Sequence, residues 1–350
     1  MLDEIKKHLS DLRTSSGQEA NMQVCMMGPR AVGKTTVLTA VFSETKDKIA
    51  ASRLFLTADG ETYSTLQARK DLLMGMFERK VDFIDEPKGG IEATTAVQEY
   101  DFKFGIFGKD ARINMTIKDF PGEFVRNNAS DVKQFIRESS VIFIAIDTPF
   151  LMEDNGRLAI QKNAINEITE FFKESTEDLT SEKLVLFVPL KCEKYYYEQR
   201  ISEVQEAVKN YYADLISYFS RQEKIVCAIT PILTLGGVEF DKFVEAKSIG
   251  GTQGKDTTEL VSKYKYTKSA EYDPMYCVQP IYYLLTFVVA QYKREKERKN
   301  ILQRFIASIF EFFDNESEFV EETLKLNKYL NKSHDGYTIL QGKELLKTNY

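Results

Sequence analysis

Gly28-Pro29-Arg30-Ala31-Val32-Gly33-Lys34-Thr35 is the stretch that decides the fold of this 350-residue chain. The apolar run MQVCMM at 22–27 precedes it and a helix-compatible stretch, 34–43, follows, so the segment reads as strand, loop, helix. In that setting Gly-x-x-x-x-Gly-Lys-Thr is the pattern that wraps backbone N–H groups around phosphates. The two glycines let the amides turn inward, and the helix start adds the positive end of its dipole. Lys34 offers a point charge to the β- and γ-phosphates, the Thr35 hydroxyl offers a ligand to Mg²⁺, and Thr36 continues the first turn. Pro29, Arg30, Ala31 and Val32 complete the loop around the nucleotide. A glycine-bearing turn that fits by accident is the alternative, and the flanking strand and helix argue against it.

Outward from the loop, the runs at 97–107 and 112–118 read as two strands joined by a hairpin turn at Gly108-Lys109-Asp110. VIFIAI at 141–146 and the run at 184–188 are near-continuously apolar, as strands buried on both faces of a parallel sheet are. Helical patterns lie between and after them, at 156–173 and 201–219, and a further strand falls at 225–229. Strands alternating with helices predict an α/β fold, a doubly wound, mostly parallel sheet carrying an antiparallel hairpin. The stretch 44–90 reads as an insertion with its own helix at 63–77, closing on Pro87-Lys88-Gly89-Gly90. A second excursion loop is expected at 236–275, and 281–292 as the last helix of a domain spanning 21–292. Residues 1–20 read as a short amphipathic helix and joint, and 293–350 as an appended C-terminal helical region.

Composition narrows the function classes. The net charge of -6 argues against a general nucleic-acid binder, which presents a basic excess to phosphates. Four cysteines, with no CxxC pair, and two histidines suggest neither a zinc site nor a disulfide framework. No apolar run reaches the ~18 residues of a membrane span. A cytoplasmic protein without a transmembrane segment is the expectation.

A second phosphate-side element follows at Asp119-Phe120-Pro121-Gly122, at the end of the strand 112–118. Asp119 there can hold Mg²⁺ through water, and the Gly122 N–H can touch a γ-phosphate. Between the elements lies Glu92-Ala93-Thr94-Thr95-Ala96. A threonine here can coordinate Mg²⁺ while a γ-phosphate is present and release it after hydrolysis, which would make a switch. Both Thr94 and Thr95 remain open, with Thr95 preferred because its spacing to Asp119 resembles that in Ras-like proteins; a simple turn after Gly89-Gly90 is the other reading.

Taken in order, GPRAVGKTT, TT, DFPGE and VIFIAID resemble the GTPases of the translation-factor and Ras-like superclass over about residues 20–235. The resemblance is strongest to divergent bacterial GTPase-like domains of multi-gene conflict or signalling systems. It implies GTP/GDP and Mg²⁺ as cofactors. It also implies that VPLKCEK at 188–194 stands where the family reads its base with Asn-Lys-x-Asp. On that match Lys191 lies along the base, Glu193 accepts from guanine, and Leu190 replaces the bracing asparagine. Thr230, after the last strand, stands at the family's loop reading guanine O6. Glu123 occupies the position of the water-orienting glutamine, where a carboxylate near the γ-phosphate suffers like-charge repulsion, so slow turnover is implied. Lys34, Glu123 and Thr95 are thus the catalytic candidates. Thr35, Asp119 and Thr95 are the metal candidates, and Arg30 and Arg126 can reach transition-state charge in cis. An ATPase or kinase on the same loop, or a non-hydrolysing scaffold, are the competing readings. A protein partner is expected to meet the switch loops or the C-terminal helices, where Phe305, Ile306, Ile309, Phe310, Phe312 and Phe313 crowd one apolar stretch.

Overall fold

The computed structural model describes residues 20–49, 53–84, 97–108, 113–120, 129–248, 257–298, 321, 322, 325 and 338–347. β1 (Ala20–Met27) leads through the glycine loop into α1 (Lys34–Ile49). There follow β2 (Leu54–Ala58), α2 (Gly60–Arg79) and β3 (Phe83–Ile84), then β4 (Gln98–Ile106) and β5 (Ile113–Asp119). Next come α3 (Ala129–Glu138), β6 (Val141–Asp147), α4 (Thr148–Met152), α5 (Ile165–Ser175) and β7 (Lys183–Leu190). The chain continues through α6 (Glu193–Tyr197), α7 (Ile201–Tyr211), α8 (Ala213–Phe219) and β8 (Ile225–Ile229). It closes with β9 (Val238–Ser248), β10 (Thr257–Tyr266), α9 (Gln279–Arg298) and β11 (Thr338–Gln341).

Eight strands form one sheet in the order β11-β8-β7-β6-β1-β5-β4-β2. Its five central strands, β8 to β5, are mutually parallel. β6, β7 and β8 are buried at every residue, as their apolar runs require, and the burial takes in Asp147 at the end of β6 and Lys183 at the start of β7. Alternate side chains of β1 divide between two cores: Val24 and Met26 pack with α1 and α9, Cys25 and Met27 with α3, α5 and α8. β5 alternates buried and half-buried residues, and β4 and β2 follow it antiparallel. The expected doubly wound sheet with its β4–β5 hairpin is therefore present.

Several expectations are corrected. The insertion at 44–90 holds a helix, α2, capped by the Asp59 carboxylate on Thr62 N–H at 2.8 Å, but also β2, an edge strand of the main sheet. The excursion at 236–275 is not a loop: β9 and β10 pair antiparallel and join β3 in a second sheet, order β3-β10-β9. Its strands mix lysines and glutamates with aromatics, so no local apolar run announced them. β10's other partner, β3, lies about 180 residues earlier in the chain. The helix at 156–173 is broken, with Gly156 and Ala164 at φ +64 and +49, and only Ile165–Ser175 is a full helix. The segment 201–219 splits into α7 and α8, and α3 was not foreseen. The N-terminal helix, the turn at 109–112 and the aromatic stretch 305–313 lie outside the described residues.

The tail is not simply an appended helical region. α9 runs on to Arg298, and the chain returns as β11, antiparallel to β8. Gln341 Nε2 donates to the carbonyls of Phe219, Gln222 and Ile225 at 2.6, 2.9 and 3.1 Å. Arg294 bridges to Glu182 and the Leu345 carbonyl. A chain ending before Thr338 is expected to unfold at a lower temperature and to associate at high concentration, since the edge of β8 becomes open for pairing. Thermal scans with light scattering at two concentrations check this; an unchanged midpoint would make β11 dispensable.

All four cysteines are buried. Burial pushes the thiols of Cys25, Cys192 and Cys227 far above their ordinary value of 9.0. An unfolded chain loses these protons near pH 9 while the folded chain keeps them, so this stability is intact below about pH 9 and falls as pH rises. Lys183 opposes them: burial holds its ammonium down at about 8, so between 8 and its ordinary 10.5 the fold gains. Three thiols outweigh one lysine. The urea midpoint is expected to fall from pH 9 to 10.5, at about 1.4 kcal/mol per pH unit for each excess proton held; a flat profile would contradict it.

Candidate functional site

The carboxyl ends of parallel strands are where α/β sheets bind ligands, at the point where connections leave in opposite directions. Here that point is β1, since the chain runs on from it to β5 on one side and to β6 on the other. The glycine loop stands at its carboxyl end. Gly28, at φ +152, comes so close to β6 that a Cβ would lie 2.6 Å from the Ala145 carbonyl oxygen. Gly33 has open space around it but a φ of +103, which only glycine adopts without strain. Its carbonyl accepts from Val37 N–H at 2.8 Å and so starts α1.

Register brings the second element alongside, with Asp119 of β5 opposite Met26 of β1. Lys34 Nζ lies 3.6 Å from Asp119 Oδ1 and donates to the Gly28 and Pro29 carbonyls at 3.4 and 3.3 Å. The Thr35 hydroxyl donates to Asp119 Oδ2 at 3.4 Å. Thr36 follows in the first turn of α1, half-buried. Asp119 is fully buried, and burial pushes its carboxyl above the ordinary range, an effect that the Lys34 charge partly offsets. Its Oδ1 has no hydrogen-bond donor among the described residues. A buried carboxylate oxygen left this way, beside a threonine hydroxyl and a lysine, fits a hard divalent cation that brings its own water and phosphate ligands. No cluster of three acidic, cysteine or histidine side chains suited to a metal occurs among the described residues, so phosphates would have to complete this set.

On the other side of the loop, Lys191 adopts a left-handed backbone at φ +60. Its Nζ donates to Asp147 Oδ2 at 2.6 Å and to the Ala31 carbonyl at 3.1 Å, and stands 5.8 Å over the Tyr264 ring. The segment at 188–194 is thus tied directly to the glycine loop. Glu193 is turned elsewhere: it is 4% exposed, and its Oε1 accepts the N–H groups of Leu235 and Gly236 at 3.0 and 3.3 Å. Burial raises its pKa, while the backbone amides of Leu235, Gly236 and Thr234 favour the ionised form. Thr230 is also buried, its hydroxyl donating to Gln279 Oε1 at 2.8 Å. Leu190 is fully buried.

Lys34, Thr35 and Asp119 are thus brought together, and Lys191 joins them through Ala31, whereas Glu193 and Thr230 point their polar atoms into the 230–236 and 279 backbone and side-chain network. Thr94, Thr95, Gly122, Glu123 and Arg126 lie outside the described residues. Reasoning from sequence missed Asp147, although it ends the quoted VIFIAID run. Its backbone N–H and carbonyl are clamped by the Asn163 amide at 2.7 and 3.3 Å.

The fold and the loop together define a mixed α/β protein with a mostly parallel eight-stranded sheet and a phosphate-loop motif at its central strand. No protein-family model matches the chain, and no curated protein matches its sequence. Among solved structures, it is similar to the S. cerevisiae Ski7 GTPase-like domain, in one structure bound to GDP and inorganic phosphate and in another bound to GTP. Identity is 14% in both, over 64% of this chain and 45% of that one, with TM-scores of 0.34 and 0.35. The match thus spans less than half the length of those chains, and a TM-score this low carries no inference of function.

Proposed function

We propose that this chain is a GTP-binding switch protein with slow, Mg²⁺-dependent hydrolysis, working within a multi-protein signalling or defence system. The observation that carries the reading is the convergence of Lys34, Thr35 and Asp119 beneath the Gly28–Gly33 loop. Lys34 leaves the Gly28 and Pro29 carbonyls when a triphosphate arrives and places its charge on the β- and γ-oxygens. Thr35 and Asp119 would hold Mg²⁺ there, and the ion would supply positive charge to the phosphate oxygens. Lys191 fixes the loop through Ala31 and lies along the base. On the resemblance, Glu123 at the water-orienting position keeps hydrolysis slow by repelling the γ-phosphate, and Thr95, or Thr94 before it, senses that phosphate. No helix among the described residues is long and apolar enough to cross a membrane.

A P-loop ATPase or kinase, or a non-hydrolysing scaffold, is the second reading. It is favoured by one observation, the commitment of Glu193 to Leu235 and Gly236 beside an apolar Leu190. Titration of the purified chain with fluorescent GTP, GDP, ATP and ADP analogues, with Mg²⁺ and with EDTA, separates them. Tighter binding of guanine nucleotides in Mg²⁺ is expected. Equal GTP and ATP affinities would favour the second reading, and no triphosphate binding at all would remove both.

A further inference from the structure

We propose that Asp147 is a positioning residue for the base end of the nucleotide site, holding the Lys191 ammonium from β6 in place of the bracing asparagine whose position Leu190 occupies. The inference rests on the reading of the loop as a triphosphate site with Lys191 along the base, and it names a residue which that reading does not use. The β6–β7 register sets Asp147 opposite Leu190. Leu190 is fully buried, and its apolar side chain offers no hydrogen bond to the lysine beside it. Across the strand pair, Asp147 Oδ2 accepts from Lys191 Nζ at 2.6 Å. The next residues pair as well, with the Thr148 hydroxyl and the Cys192 sulfur 3.3 Å apart. The end of β6 thus grips the start of the segment that follows β7.

Asp147 is itself fixed from behind. Asn163, fully buried, accepts the Asp147 N–H on its amide oxygen at 2.7 Å and donates to the Asp147 carbonyl at 3.3 Å. The side chains of Lys191 and Asp147 are 12% and 6% exposed, and an ion pair taken this far out of water adds little to stability by itself. What it supplies is orientation. The ammonium directs one proton to Asp147 and another to the Ala31 carbonyl of the glycine loop at 3.1 Å, while the Tyr264 ring of β10 covers it at 5.8 Å. The Lys191 backbone, at φ +60, holds a conformation that a residue with a Cβ keeps only where its surroundings fix it. A lysine held at its backbone and at its tip presents its methylenes to the base without first losing rotamer freedom. Fixing one such side chain in advance changes affinity by about two- to tenfold.

The test displaces a fluorescent GTP analogue from the full-length protein with GTP and with inorganic tripolyphosphate, which fills the loop but carries no base; the thermal midpoint is measured alongside. Asp147→Ala is expected to weaken GTP by about tenfold and to leave tripolyphosphate unchanged. Lys191→Ala is expected to weaken GTP at least as far, and the double variant no further than K191A, because Asp147 acts only through Lys191. Asp147→Asn keeps an acceptor of the same shape and decides the matter if D147A does not fold. Its neutral bond to Lys191 is weaker, so a loss of about threefold for GTP alone is expected. Parent-like GTP affinity in the folded variants, equal losses for GTP and tripolyphosphate, or losses that add in the double variant would each overturn the inference, whatever the thermal midpoint does. A parent chain that binds GTP no better than tripolyphosphate overturns the placing of Lys191 along the base, and one that binds neither overturns the site reading beneath it.

Discussion

Replacement of Lys34 by Ala is expected to lower triphosphate affinity by at least about a hundredfold, because charge-assisted bonds to phosphate contribute ~1.5–3 kcal/mol each and Lys34 can make two. The same ammonium is 7% exposed and is the first counter-charge to the buried Asp119. The variant therefore loses some stability as well, but the loss is limited because Asp119 can take up a proton once its partner is gone. The ion pair thus gives Lys34 a structural role beside its phosphate role. Isothermal titration with a non-hydrolysable triphosphate, run beside circular dichroism, checks both effects. Parent-like affinity in a folded Lys34→Ala protein would sink the phosphate-site assignment.

Replacement of Glu193 by Ala is the second large effect. It strips the acceptor from two backbone N–H groups, and leaving buried donors unpaired costs about 1–3 kcal/mol each, so a loss of roughly 2–3 kcal/mol in unfolding free energy is expected. Glu193→Gln keeps an oxygen for both donors and should unfold near the parent's denaturant midpoint. The loop at 234–236 leads into β9, so its release is expected to weaken any preference for guanine in the Ala variant, with triphosphate affinity kept. Chemical denaturation of the two variants decides the point: an Ala variant as stable as the parent would mean that the bonds to Leu235 and Gly236 contribute nothing.

Parts of the site were readable residue by residue because the chemistry is local. Gly28 to Thr35 carries its own strand, turn and helix start, and the buried strands β6, β7 and β8 are announced by unbroken apolar runs. Asp119 was placed by a strand end, which register with β1 then brought to Thr35. Asp147 carried no such signal, since nothing at the end of an apolar strand says that the Lys191 ammonium will meet its carboxylate. Glu193 shows the opposite failure. Its type and spacing matched a base-reading carboxylate, yet a carboxylate reaches whatever donors lie nearest, and here those are amides more than forty residues onward.

What the sequence determined by itself is the α/β class, the parallel core and the loop with its lysine and threonine, because periodicity, glycine conformation and helix starts are properties of contiguous residues. What only the tertiary structure decided is everything made by pairing across distance. β3 joins the β9–β10 pair through residues about 180 apart, β11 closes the edge of β8, and Lys191 binds the loop through Ala31 and the end of β6 through Asp147. The physical reason is the same in each case. A strand's or side chain's hydrogen bonds are satisfied by whichever groups the folded chain delivers, and that delivery is set by topology rather than by the residue's neighbours in sequence.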